Sequence, residues 1–189
     1  MGHILSSVRE IFEREPKKVV MIGLDAAGKT TIMYSLRLAM TSRVYPLIAT
    51  GIEECSHRNM SVIAFDVGGQ ERLRPLWRRY FLMTRGLIWV VDSVDRERIE
   101  QSREELRRIL DEESLRGVVL LVLANKQDLP TAMPLWEVAM HLGLHEVSSR
   151  MWLALGTCAT SGAGLEQGFD WLEKAVKSRR RLIHRLRGR

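Results

Sequence analysis

The chain has 189 residues, enough for one compact domain with a full core, since 46% of it is hydrophobic and 28% charged. Two cysteines, Cys55 and Cys158, exclude a disulfide scaffold and a zinc knuckle, and reduced thiols in the cytosol are the plain expectation. The net charge of +6 excludes nothing until it is located, and much of it sits at one end, in Lys174, Lys177, Arg179, Arg180, Arg181, Arg185, Arg187 and Arg189.

The first residues, Met1-Gly2-His3-Ile4-Leu5-Ser6, fit the pattern for myristoylation of Gly2 after loss of the methionine. Ile4, Leu5, Val8, Ile11 and Phe12 then recur on one face of a helix, with Glu10, Glu13 and Arg14 facing away and Pro16 as its end. Residues 1–16 therefore read as an amphipathic helix, either laid on a membrane or packed on the domain. The longest apolar run, Val118 to Ala124, is far below the roughly 18 residues of a membrane span. No secretory signal is expected.

Lys18 to Gly23 is an apolar run rich in β-branched residues, expected as a strand, and Thr30 to Met40 has helical character. Between them Gly23, Leu24, Asp25, Ala26, Ala27, Gly28, Lys29 and Thr30 match G-x-x-x-x-G-K-[ST], in the strand–loop–helix context that motif requires. Glycines let the backbone close on phosphate. Successive N–H groups and the helix N-terminus favour an anion. Lys29 is expected on the β- and γ-phosphates, Thr30 on Mg²⁺, and Thr31, next in the helix's first turn, on the nucleotide. An ordinary glycine turn is the bland alternative.

Asn59 to Val67 reads as a strand with Glu53 to His57 as a pairing candidate, and Asp66-Val67-Gly68-Gly69-Gln70 lies at its end. Asp66 is a candidate Mg²⁺ holder through water, Gly69 a candidate γ-phosphate sensor, and Gln70 the candidate for orienting the attacking water. Gly86 to Asp92 reads as a buried strand, Arg96 to Glu113 as a charged helix, and Val118 to Ala124 as another buried strand. Asn125-Lys126-Gln127-Asp128 follows that strand. The Asp128 carboxylate can accept from guanine N1–H and the exocyclic amine, a donor pair adenine lacks, and a site built on such pairing discriminates by about 10⁴. The Lys126 stem would cover the base and Asn125 would tie this loop to the phosphate loop. Pro134 to Leu142 reads as a helix, and Met151 to Thr157 as a strand. Cys158 and Ala159 follow, where a backbone N–H can meet guanine O6. Leu165 to Leu186 closes the chain as a helix. Apolar strands alternating with helices predict an α/β domain whose mostly parallel sheet is covered on both faces.

Gly-Leu-Asp-Ala-Ala-Gly-Lys-Thr-Thr, Asp-Val-Gly-Gly-Gln, Arg74-Pro75-Leu76-Trp77, Asn-Lys-Gln-Asp and Cys-Ala-Thr-Ser-Gly together resemble the Arf and Arf-like GTPases of the Ras superfamily, from about Gly2 to Arg180. The resemblance implies a P-loop G domain over residues 17–178, with a six-stranded sheet, followed by a basic tail at 179–189. It implies GTP, GDP and Mg²⁺ as ligands. Exchange factors, GTPase-activating proteins and effectors are the implied partners of a monomer on the cytoplasmic face of Golgi, endosomal or plasma membranes and in the cytosol. It also implies an N-terminal helix stowed with GDP and released with GTP. The family's Pro-Thr-Ile-Gly falls on Pro46-Leu47-Ile48-Ala49, so leucine stands where a threonine oxygen ligates Mg²⁺. Thr50 is the nearest substitute. Thr50 and Phe65 also replace family aromatics of the effector-facing patch, of which Tyr80 keeps its part. A nucleotide-binding adaptor with impaired hydrolysis is therefore the alternative to a cycling switch. For the basic tail, anionic lipid is the first expectation; a nuclear or nucleic-acid patch and a solvated end are the others.

Overall fold

The structure is a computed structural model that describes residues 16–39, 44–47, 52–67 and 74–187. The Gly2 signal, the helix at 1–16, Thr50, Gly69 and Gln70 lie outside the described residues. So do the side chains of 179–189.

The chain runs β1 (Lys17–Leu24), α1 (Lys29–Ala39), β2 (Val44–Leu47), β3 (Ile52–His57), β4 (Met60–Val67), α2 (Arg74–Phe81), β5 (Gly86–Asp92), α3 (Ile99–Leu110), β6 (Val119–Asn125), α4 (Leu135–His141), β7 (Trp152–Gly156) and α5 (Leu165–Arg187). One sheet carries the strands in the order β2-β3-β4-β1-β5-β6-β7. The β4, β1, β5, β6 and β7 strands are parallel, and β2 and β3 join antiparallel at one edge. Six strands form the sheet expected from the resemblance, and the short edge strand β2 makes a seventh. Proline is tolerated at position 46 because β2 is the edge.

Alternation along the strands divides the core in two. Val20, Ile22, Leu87, Trp89, Leu120 and Val122 point to the face covered by α2, α3 and α4. Val19, Met21, Ile88, Val90, Leu121 and Leu123 point to the face covered by α1 and α5, where Ile32, Phe169 and Leu172 meet them. The central strands are buried on both sides, which is why their sequences are continuous apolar runs.

The helix expected from Arg96 starts later, at Ile99, because Asp95 turns the chain: its carboxylate accepts from the Arg98 backbone N–H at 3.1 Å. Phe65, expected at an effector-facing surface, is buried and stacks on Trp77 with ring centroids 4.9 Å apart. Helix α5 continues to Arg187, so residues 179–187 prolong the last helix of the domain. Among the described residues no helix is long and apolar enough to cross a membrane.

Candidate functional site

The strand order reverses at β1. From its carboxyl end the chain leaves toward β4 on one side, and β5 flanks it on the other. Such a switch point opens a crevice beyond the strand ends, where open α/β sheets bind ligands. The loop at Leu24, Asp25, Ala26, Ala27 and Gly28 lies there, and α1 begins at Lys29.

Two glycines of this loop are required by contact. A Cβ on Gly23 would sit 2.2 Å from the Val90 carbonyl oxygen, so only glycine lets β1 lie this close to β5. Gly28 has φ +97°, and a Cβ there would meet Asn125 Nδ2 at 2.3 Å. Ala26 holds φ +59°, an uncommon conformation for a residue with a side chain. The Ile32 N–H bonds back to the Gly28 carbonyl at 2.9 Å and closes the first helical turn. The N–H groups ahead of it, in the first turn of α1, have no intrahelical partner and suit an anion. Thr30 and Thr31 are exposed at this turn.

Lys29 is buried, at 5% exposure, and its ammonium lies inside the loop. It donates to the carbonyls of Gly23 at 2.8 Å and Leu24 at 2.5 Å, and it pairs with Asp66. An ammonium has three donors, and these contacts use all three. Burial lowers the Lys29 pKa, and the carboxylates of Asp66, Asp25 and Glu53 oppose that shift. A phosphate oxygen can reach Nζ only by taking over one of these bonds, and Asp66 is the exposed partner.

Asp66 lies opposite Gly23 in the β1–β4 register, beside the phosphate loop as expected. The Thr30 hydroxyl donates to Glu53 Oε1 at 3.3 Å. Glu53 was not expected at the site. It arrives because β3 pairs with β4 and carries its side chain across to α1. Its only sequence signal is an acidic residue in a strand otherwise facing α1. Among the described residues no group of three or more His, Cys, Asp or Glu is placed to hold a metal alone. A Mg²⁺ ion here would take Thr30, water held by Asp66, and phosphate oxygens, an all-oxygen set suited to that cation. Leu47 pairs with Ile52 in β2 and offers no oxygen from its side chain.

The second half of the site comes from the ends of β6 and β7. Asn125 is buried, at 1% exposure. Its amide nitrogen donates to the Ala27 carbonyl at 2.9 Å, and its Oδ1 accepts from the Ala159 N–H at 2.9 Å and from the Thr157 hydroxyl at 3.4 Å. One side chain thus joins the phosphate loop, the loop after β6 and the loop after β7. Lys126 has φ +66° and its ammonium donates to Asp92 Oδ2 at 2.5 Å, which anchors the end of its stem. Gln127 turns inward and donates to the Ser93 hydroxyl and the Met133 carbonyl, both at 2.9 Å. Asp128 is exposed at the mouth. The Cys158 thiol is held below its usual pKa by hydrogen bonds from Ser161 and Thr160, while the nearby Asp128 carboxylate acts the other way, so Asp128 and Cys158 share one corner. The other thiol, Cys55, is buried in the core and pushed up to about 12.

A mostly parallel α/β sheet with a glycine-framed phosphate loop, a buried lysine inside it and an Asn-Lys-Gln-Asp loop tied to it defines a nucleotide-binding protein of the small GTPase class. The model of the ADP-ribosylation factor family matches residues 2–176, and the chain belongs to that family. Its members are small GTPases that bind GTP and GDP, typically with Mg²⁺.

Proposed function

We propose that this chain is a GDP/GTP switch that works at a membrane surface, hydrolyses GTP slowly, and recruits effectors in its GTP state. The observation that carries the reading is the Asn125 side chain, which locks the candidate phosphate loop to the candidate base loops. Binding of a polyphosphate exchanges the Lys29–Asp66 pair for a Lys29–phosphate pair. Thr30 and the freed Asp66 carboxylate would then hold a cation, Asp66 through water. Mg²⁺, when bound, would supply neutralisation of the phosphate charge. Asp128 selects guanine, the Ala159 N–H reaches its O6 only by giving up its bond to Asn125 Oδ1, and Gln70 orients the attacking water.

The Gly2 acylation signal and the amphipathic face of residues 4–12 support membrane attachment. One myristoyl chain gives only marginal binding, with an association constant of roughly 10⁴ M⁻¹. The basic end of α5 is the second contact, at about 1 kcal/mol per Lys or Arg near anionic lipid. Membership of the Arf family supports exchange factors and GTPase-activating proteins as regulators and vesicle traffic as the setting.

A second reading is favoured by Leu47. The residue at the family's Mg²⁺-ligating threonine lies in a sheet edge strand and has no side-chain oxygen, which points to a nucleotide-stabilised adaptor with a weakened GTP state. Single-turnover hydrolysis separates the two. Full-length protein loaded with GTP and Mg²⁺ is followed for bound GTP and GDP over hours, with Gln70→Leu as control. The switch predicts decay near 10⁻⁴ s⁻¹ that the control abolishes. Tight GDP with GTP poorly held or never cleaved, restored by Leu47→Thr, establishes the adaptor instead.

A further inference from the structure

The phosphate loop carries a negative charge of its own. Asp25 lies between the Leu24 and Ala26 backbones, exposed, and it is one of three carboxylates that act on the Lys29 ammonium. A loop that accepts a polyphosphate has to deal with that carboxylate, because unlike Asp66 and Glu53 it stands in the loop itself.

The side chain that meets it comes from outside the expected motifs. Arg98 Nη1 donates to Asp25 Oδ1 at 2.9 Å, across 73 residues of chain. Its direction is set from behind. The Asp95 carboxylate accepts from Arg98 Nε at 2.6 Å with one oxygen and from the Arg98 backbone N–H at 3.1 Å with the other. The Asp95 N–H in turn bonds the Asp92 carbonyl at 3.3 Å, at the end of β5. Held at its backbone and at Nε, the guanidinium has its remaining edge free to face Asp25. Lysine cannot do this, because it lacks the planar fork that bridges two carboxylates. The two acids and the arginine line a small cleft with Leu24, Val91 and Ser102, between the phosphate loop and the start of α3.

We propose that Arg98 is a positioning residue for the phosphate loop. It neutralises Asp25 and holds its carboxylate toward α3, so that a bound polyphosphate meets Lys29 and the loop amides rather than a free negative charge. The proposal rests on the guanine-nucleotide reading of the site and adds to it a residue outside all five motifs. The effect should grow with the charge of the ligand and be larger for a triphosphate than for a diphosphate.

A double-mutant cycle on the full-length protein tests this. Release of a fluorescent GDP and of a fluorescent, non-hydrolysable GTP analogue is timed for wild type, Arg98→Gln, Asp25→Asn and the double variant, with Arg98→Lys as a fifth. Both groups of the pair are partly exposed, so the expected change is modest. Arg98→Gln speeds release of the triphosphate about fivefold and of the diphosphate less. Once Asp25→Asn is in place, Arg98→Gln changes release by less than about twofold. Arg98→Lys recovers only part of the loss. Equal acceleration by Arg98→Gln with and without the Asp25 charge overturns the proposal and places the arginine's role at Asp95 and the start of α3. Release unchanged by Arg98→Gln overturns it as well. A wild-type protein that holds neither nucleotide refutes the guanine-nucleotide reading itself.

Discussion

Asn125 shows what a single buried amide does in this site. Its donor and its acceptor are both spent on backbone groups of other loops, Ala27 and Ala159, and all three residues are buried. Truncating it leaves a carbonyl and an N–H unpaired, each costing about 1–3 kcal/mol. Asn125→Ala is therefore expected to destabilise the protein by about 2–4 kcal/mol, read as a lower midpoint in urea at unchanged slope. A loss below about 0.5 kcal/mol would show that the loops hold their places without it. Sequence alone named Asn125, Lys29 and Asp128 because spacing within one loop fixes them. Glu53 and Arg98 escaped, since their partners are 23 and 73 residues away and only strand pairing and helix placement bring them in.

Among the elements, the buried strands were the most legible. Gly86–Asp92 and Val119–Asn125 are apolar up to their last residues, Asp92 and Asn125, because both faces of the sheet are covered. Two elements were not foreseen. The β2 strand is four residues long with a proline inside, and only its position at the edge permits it. The α2 helix, Arg74–Phe81, mixes arginines with aromatics over eight residues, too short a window for periodicity to speak. The last helix was legible in type, and its described apolar side chains pack on the sheet. Phe169, Leu172, Ala175 and Val176 are buried against the sheet, and Val176 is the last such side chain among the described residues. Leu172→Ala is expected to cost about 2–5 kcal/mol. Removing residues 179–189 is expected to leave the urea midpoint within about 0.5 kcal/mol of wild type while reducing pelleting with anionic liposomes. A large loss of stability, or equal pelleting with neutral and anionic liposomes, would contradict the proposal that this end contacts lipid without supporting the fold.

At the scale of the whole molecule, the site is an outcome of topology. Strands β1, β4, β6 and β7 end on one side of the sheet, and each delivers a part: the phosphate loop, Asp66, Asn125 with Asp128, and Cys158 with Ala159. No single part identifies a guanine nucleotide; membership of the Arf family gives GTP and GDP, and Asn125 joins the phosphate loop to the loops after β6 and β7. The most direct test of that account is competition on the full-length protein. Fluorescent GDP is bound, and unlabelled GDP, GTP, ADP, ATP and xanthosine diphosphate are titrated against it, for wild type and for Asp128→Asn. The account predicts that guanine nucleotides displace the probe at concentrations about 10³-fold or more below those of adenine nucleotides. It also predicts that Asp128→Asn weakens the guanine nucleotides and favours xanthosine diphosphate, whose second carbonyl can accept from the new amide. Adenine and guanine nucleotides competing equally, or an Asp128→Asn variant that binds all five as wild type does, would contradict it.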